Sequence, residues 1–118
     1  MNNREFATAL EKRTRDFAVR IIRLSNKLPK TPEGSVVRTQ ITKSGTSIGA
    51  NYREANRSRS PADFKNRIEI CESEASETKY WLEIISDLKW LPQEQLKTED
   101  EECSELLAIF TSISKKCK

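Results

Sequence analysis

Histidine is missing altogether. Its absence removes the Ser-His-Asp and Cys-His nucleophile designs, the usual general base near neutral pH and the commonest metal ligand. It also excludes a di-iron bundle, which needs Glu-x-x-His on two helices. Cysteine is scarce: Cys71, Cys103 and Cys117 are odd in number and widely spaced. They show no paired zinc spacing and fit reduced thiols in a cytoplasm better than a disulfide framework. With 3 glycines and 4 prolines there are few turn signals, so long helices are expected. No run of ~20 apolar residues is present, so no membrane span is expected. The opening MNNREFATALEKR has no apolar signal core. The expectation is a cytoplasmic protein with no cofactor, no membrane partner and no small-molecule substrate.

What is present is charge, unevenly spread. The 118 residues, read as a single domain over 1–118, carry a net charge of +3. Residues 1–67 hold 15 Lys/Arg against 6 Asp/Glu, a balance of +9, whereas residues 68–118 hold 6 against 12, a balance of −6. Either the basic half presents a face to nucleic acid, or the two halves complement each other within one subunit or between neighbours. The second reading is favoured.

Four helical patterns account for the chain. Over residues 3–28, Leu10, Thr14, Phe17, Ile21, Leu24 and Leu28 recur at alternating steps of four and three and form one seam. Pro29 and Pro32 break that pattern, and Thr31-Pro32 reads as the cap and first position of a second helix over 33–57. Ser60, Pro61 and Asp63 start a third over 61–90 in the same way. Thr98 is expected to cap the fourth, whose seam is Leu96, Cys103, Leu106, Phe110, Ile113 and Cys117. Lys115, Lys116 and Lys118 suit its negative end. Short connections make an all-α, antiparallel up-down-up-down four-helix bundle the expected fold.

The third helix carries two seams. Phe64, Ile68, Cys71, Ala75, Thr78, Leu82 and Ile85 form one; Ile70, Trp81, Ile84 and Leu88 form another roughly 100° around the axis. One seam suffices for a solitary bundle, so Ile70, Trp81, Ile84 and Leu88 are expected to bury against a neighbouring subunit, with a wide single core as the alternative.

The stretch TKSGTSIGANYREANR, residues 42–57, is not a phosphate loop, because no strand precedes it and no Gly-Lys-Ser/Thr order follows. Each glycine inside a helix costs ~1 kcal/mol relative to alanine. Gly45 and Gly49 share one edge beside Ile41 and Ile48, so the helix is read as kept slim for close contact with another helix.

Candidate sites follow from charge. Arg53, Arg57 and Arg59, joined by Arg13, Arg20 and Arg23, are the candidate phosphate-tracking surface for RNA or DNA; the plainer reading is that cations at a helix end satisfy carbonyls and dipole. Asn51, Glu54 and Glu77 are read as structural polar groups, Glu54 or Glu77 pairing with an arginine such as Arg53 or Arg20. Glu69, Glu72, Glu74 and Glu77 raise the alternative of a metal-dependent nucleotide hydrolase, against which stand their divergent directions and the lack of a partner motif.

The pattern Gln40, Lys43-Ser44, Ser47-Ile48, Ala50-Asn51, Glu54, with Phe64, Ile68, Ile70-Cys71, Glu77, Leu82, resembles small four-helix-bundle proteins encoded in intervening sequences of bacterial 23S rRNA genes, a ribosomal-protein-like family. Two positions depart from it: Glu54-Ala55 stands where Glu-Gly is usual, and Ser73 near a usual glycine. The resemblance implies a homo-oligomer, in some relatives a pentameric ring, without an assigned activity. A related branch, the accessory proteins of diversity-generating retroelements, forms basic rings that bind nucleic acid and a reverse transcriptase. The combined expectation is a non-catalytic, self-associating scaffold or nucleic-acid-binding module, and not an enzyme.

Overall fold

A computed structural model describes residues 2–117. It contains four helices, α1 (Asn3–Ser25), α2 (Pro32–Ala55), α3 (Pro61–Asp87) and α4 (Gln93–Lys116), and no strand among the described residues. Each start has a local cause. Asn2 accepts the Glu5 N–H at 2.8 Å, Thr31 the Gly34 N–H at 3.0 Å and Ser60 the Asp63 N–H at 3.0 Å, the last two with proline at the first helical position as expected.

The start of α4 differs from the sequence expectation. Pro92 holds the cap position with no side-chain cap bond, and Thr98 lies inside the helix, donating to the Glu94 carbonyl at 3.2 Å. Nothing between Gln93 and Thr98 opposes a helix once the proline is passed, and buried Leu96 pulls this turn onto the core. The other ends are shorter than their periodic patterns. α3 stops at Asp87 because Lys89 turns left-handed, at φ 56°. The Trp90 N–H then bonds the Ile85 carbonyl and the Lys89 N–H that of Ser86, a Schellman closure with lysine where glycine is usual. Lys118 lies outside the described residues.

The core follows the expected seams. Phe17, Ile21, Ile41, Ile48, Ile68, Ile85, Leu106 and Phe110 have no more than a trace of exposure, and burying each such side chain contributes ~1.5–3 kcal/mol. Tyr52 of α2 meets Phe110 of α4 edge to face, with ring centroids 5.4 Å apart. Each helix packs on its sequence neighbours, while α1 and α4 approach least closely and α1 makes no backbone approach to α3. Links between α2 and α3 pair Ser44 with Thr78, Ile48 with Cys71 and Asn51 with Arg67.

The slim edge of α2 has an intrachain partner. A Cβ on Gly45 would lie 2.8 Å from Cγ2 of Ile21, and one on Gly49 would lie 2.9 Å from Oγ1 of Thr14. Both targets belong to α1 and are fully buried. The glycines therefore set how near α1 can come, and dispersion contacts at that distance offset their helix-propensity cost.

Candidate nucleic-acid and self-association surfaces

The six arginines read as candidate phosphate contacts divide into two groups. Arg13 on α1 grips Glu102 of α4 with two bonds, Nε to Oε2 at 2.8 Å and Nη2 to Oε1 at 2.6 Å, and reaches Glu105 at 3.0 Å. The Glu102 hydrogen bond raises the affinity of Arg13 for its proton above the ordinary value. Arg20 donates from Nε to both oxygens of Glu99 at 3.1 Å, and its guanidinium lies 5.9 Å from the centre of the Phe17 ring. Glu99 is nearly buried, so Arg20 compensates a carboxylate that would otherwise be costly. The basic first half and acidic second half thus meet inside one subunit. Arg13 and Arg20 are both paired with carboxylates of α4.

The remaining four lie elsewhere. Arg53 has a long 3.8 Å pairing with Glu11. Arg23, Arg57 and Arg59 are exposed and have no carboxylate within ion-pair distance among the described residues. Arg59 also lines a hollow of about 420 Å³ with Ser60, Phe64 and Cys117, which brings the α2–α3 turn against the end of α4. Lys115 and Lys116 are exposed in the last turn of α4, immediately before Cys117 in the chain.

The sequence model of the 23S rRNA-intervening sequence proteins matches residues 8–112. The chain belongs to that family. It is similar to a protein of unknown function from the S23 ribosomal protein family of Bacteroides thetaiotaomicron, whose crystal structure shares 39% identity, covers 90% of this chain and 98% of its own, and superposes with a TM-score of 0.83. No curated protein matches the chain.

In this family member the predicted polar pairings are redistributed. Asn51 donates to the Ser47 carbonyl at 2.9 Å and accepts from Arg67 at 3.2 Å, so its cation comes from α3. Glu77 accepts the indole N–H of Trp81 at 3.3 Å rather than an arginine. Glu54 is exposed beside a groove shared with Arg53 and has no ion pair among the described residues. Arg20 and Arg53 are taken by Glu99 and Glu11 instead, because those carboxylates face them from adjoining helices.

Contrary to the divergent directions expected, Glu69, Glu72 and Glu77 of the acidic run line one open hollow of about 740 Å³ with Tyr80, Leu107 and Thr111. Glu72 accepts from Thr111 at 2.7 Å, Glu77 serves Trp81, and Glu69 is exposed. No group of three or more His, Cys, Asp or Glu side chains is arranged to hold a metal ion among the described residues. Lys79 ties α3 to α4 through Asp100 at 3.0 Å and Ser104 at 2.9 Å.

The second seam of α3 is only half satisfied. Ile70, Trp81 and Ile84 are partly buried, the latter two against the core, while Leu88 is 50% exposed. Tyr80 stacks edge-on to Trp81 with centroids 5.1 Å apart and is 54% exposed. No described helix is long and apolar enough to cross a membrane, so this strip has no lipid-spanning explanation.

Proposed function

We propose that the chain is a non-catalytic, self-associating four-helix bundle that holds the phosphate backbone of nucleic acid, RNA being the first candidate, with the cations at one end. The observation that carries this reading is the division of the arginines: Arg13 and Arg20 are consumed by α4, whereas Arg57, Arg59, Lys115 and Lys116 are exposed. Backbone phosphates reward such exposed cations, none of which has an ion pair among the described residues, without requiring base readout.

The reading takes the helices as antiparallel, up-down-up-down. Short connections support that, as do cross-links in which higher positions on α2 meet lower positions on α3. The α2–α3 turn and the last turn of α4 then share one basic pole. Copies associating through the half-exposed α3 strip, as a pentamer or another ring, would repeat that pole around an axis. Kinship with retroelement accessory proteins and a role beside rRNA belong to the same reading. The free thiols support a reducing, cytoplasmic setting.

The test is equilibrium binding of a mixed-sequence single-stranded RNA between 50 mM and 200 mM salt. Affinity is expected to fall linearly in log-log form, with a slope of about −0.7 per phosphate neutralised. Affinity independent of salt, or no binding at low salt, contradicts the polyanion role.

A further inference from the structure

We propose that self-association is head-to-tail: a ridge on the outer side of α1 seats in the groove between α3 and α4 of the next copy. The proposal rests on the self-association above and specifies its two faces.

The ridge is built from Arg15, Val19, Ile22 and Arg23, spaced at steps of four, three and one, which stacks them on one stripe. Val19 is 200° from both Phe17 and Ile21 by helical geometry and so points away from the core. Val19 and Ile22 are each 41% exposed and adjoin each other on that stripe. Arg15 and Arg23 have no carboxylate within ion-pair distance among the described residues. The ridge is therefore apolar at its centre and basic at its ends.

The groove has the complementary character. Its volume is about 760 Å³, and it is lined by the apolar surfaces of Tyr80, Ile84 and Leu96 with Glu83, Asp87 and Glu94 around them. None of those three carboxylates has an ion-pair partner among the described residues, and the groove's other charged lining residues, Lys97 and Asp100, are paired with Glu101 and Lys79. This is the charge pattern the ridge would meet: unpaired acids around grease, against unpaired arginines around grease. Ridge and groove cannot satisfy each other in one chain, because Val19 faces outward and α1 and α3 are not neighbours. A second copy supplies what each lacks. Since the two faces differ, the contact is heterologous, and repetition closes a ring or extends a filament.

Native mass spectrometry and sedimentation velocity of four preparations test the faces. The wild-type chain is expected above its 13.6 kDa monomer mass. Arg15→Glu with Arg23→Glu, and separately Glu83→Arg with Asp87→Arg, are each expected to weaken association by about tenfold or more, because like charges then oppose across the contact. Mixed in equal amounts, the two variants should reassociate, with the acidic ridge of one fitting the basic groove of the other, into alternating open chains or even-numbered rings even if the wild-type ring is odd-numbered. All substituted positions are at the surface, and far-ultraviolet circular dichroism confirms that the helices persist. Wild-type assembly by the α1 variant overturns the ridge. Loss of assembly in both with no mixed species, not even a heterodimer, on mixing overturns the pairing. A wild-type chain that stays monomeric overturns self-association itself and leaves the two surfaces to a different partner.

Discussion

Helix α1 is held in two unlike ways. Towards α2 it rests on Gly45 and Gly49, so close that a single added methyl would collide with Ile21 or Thr14. Towards α4 the backbones stay further apart, and Arg13 and Arg20 span the gap to Glu99, Glu102 and Glu105. The first seam depends on shape: dispersion contacts fall off within an ångström and are indifferent to salt. The second depends on charge that reaches across several ångströms and weakens as salt screens it. The comparison explains why a chain with opposite charges in its two halves need not be a strong nucleic-acid binder over its whole basic half. Part of that charge, Arg13 and Arg20 against Glu99, Glu102 and Glu105, holds the molecule together.

The close seam should break hardest. Gly45→Val forces a branched side chain into Ile21, which is fully buried and has nowhere to move. Urea unfolding should report a loss of about 3 kcal/mol, the upper range for overpacking, equal at low and high salt. A loss below about 1 kcal/mol would show that α1 has room to retreat, and the comparison would collapse.

Alkaline pH probes the dry interior while leaving the arginine pairs charged. Cys71 and Cys103 donate to the Ile48 and Ala75 carbonyls, and burial pushes both thiols from 9.0 up to about 12. The folded thiols keep their protons at a pH where the unfolded ones have lost them. Their contribution is therefore intact below pH 9 and is lost as pH rises towards 12. Near pH 10 the loss should be about 1 kcal/mol per thiol, and a Cys71→Ala, Cys103→Ala variant should show a flatter profile.

The charged seam should cost less to break. Arg20→Ala leaves Glu99 nearly buried without its cation, at about 1–2 kcal/mol after allowing for the partial exposure of Arg20. That loss should shrink in 1 M salt, unlike the glycine effect. The smallest change is a gain. Lys89→Gly relieves a left-handed lysine in the closure of α3 and should stabilise by about 0.5–1 kcal/mol in thermal unfolding.

Much of this was legible from spacing. The seams of α1 and α3, the Thr31 and Ser60 caps and the slim edge of α2 follow from steps of three and four and from proline placement. Periodicity says that Gly45 and Gly49 share an edge, but not which helix uses it; α1 uses it. The Arg20–Glu99 pair was hidden by the misplaced start of the last helix. Starting the last helix at Thr98 removes Glu99 from its pattern, whereas a start at Gln93 puts Glu99 between Leu96 and Cys103, in a seam position normally apolar. A carboxylate there demands a cation from a facing helix, and Arg20 supplies it. Likewise, no glycine marks the end of α3, so the helical pattern runs on past Lys89 where the backbone does not. The candidate arginines were visible as a set. Their division into bound and free required the fold, since sequence distance says nothing about the contact between residue 20 and residue 99.

The partition of cations is tested most directly by comparing salt dependence of RNA binding in two variants with the wild-type chain. Arg57→Ala, Arg59→Ala and Lys115→Ala together should lower affinity and reduce the log-log slope by about 0.7 for each contact removed. Arg13→Ala with Arg20→Ala, measured at a temperature where it remains folded, should leave the slope unchanged and lower only the unfolding free energy. The opposite pattern, with slope lost in the α1 pair and kept in the pole variant, would contradict the account.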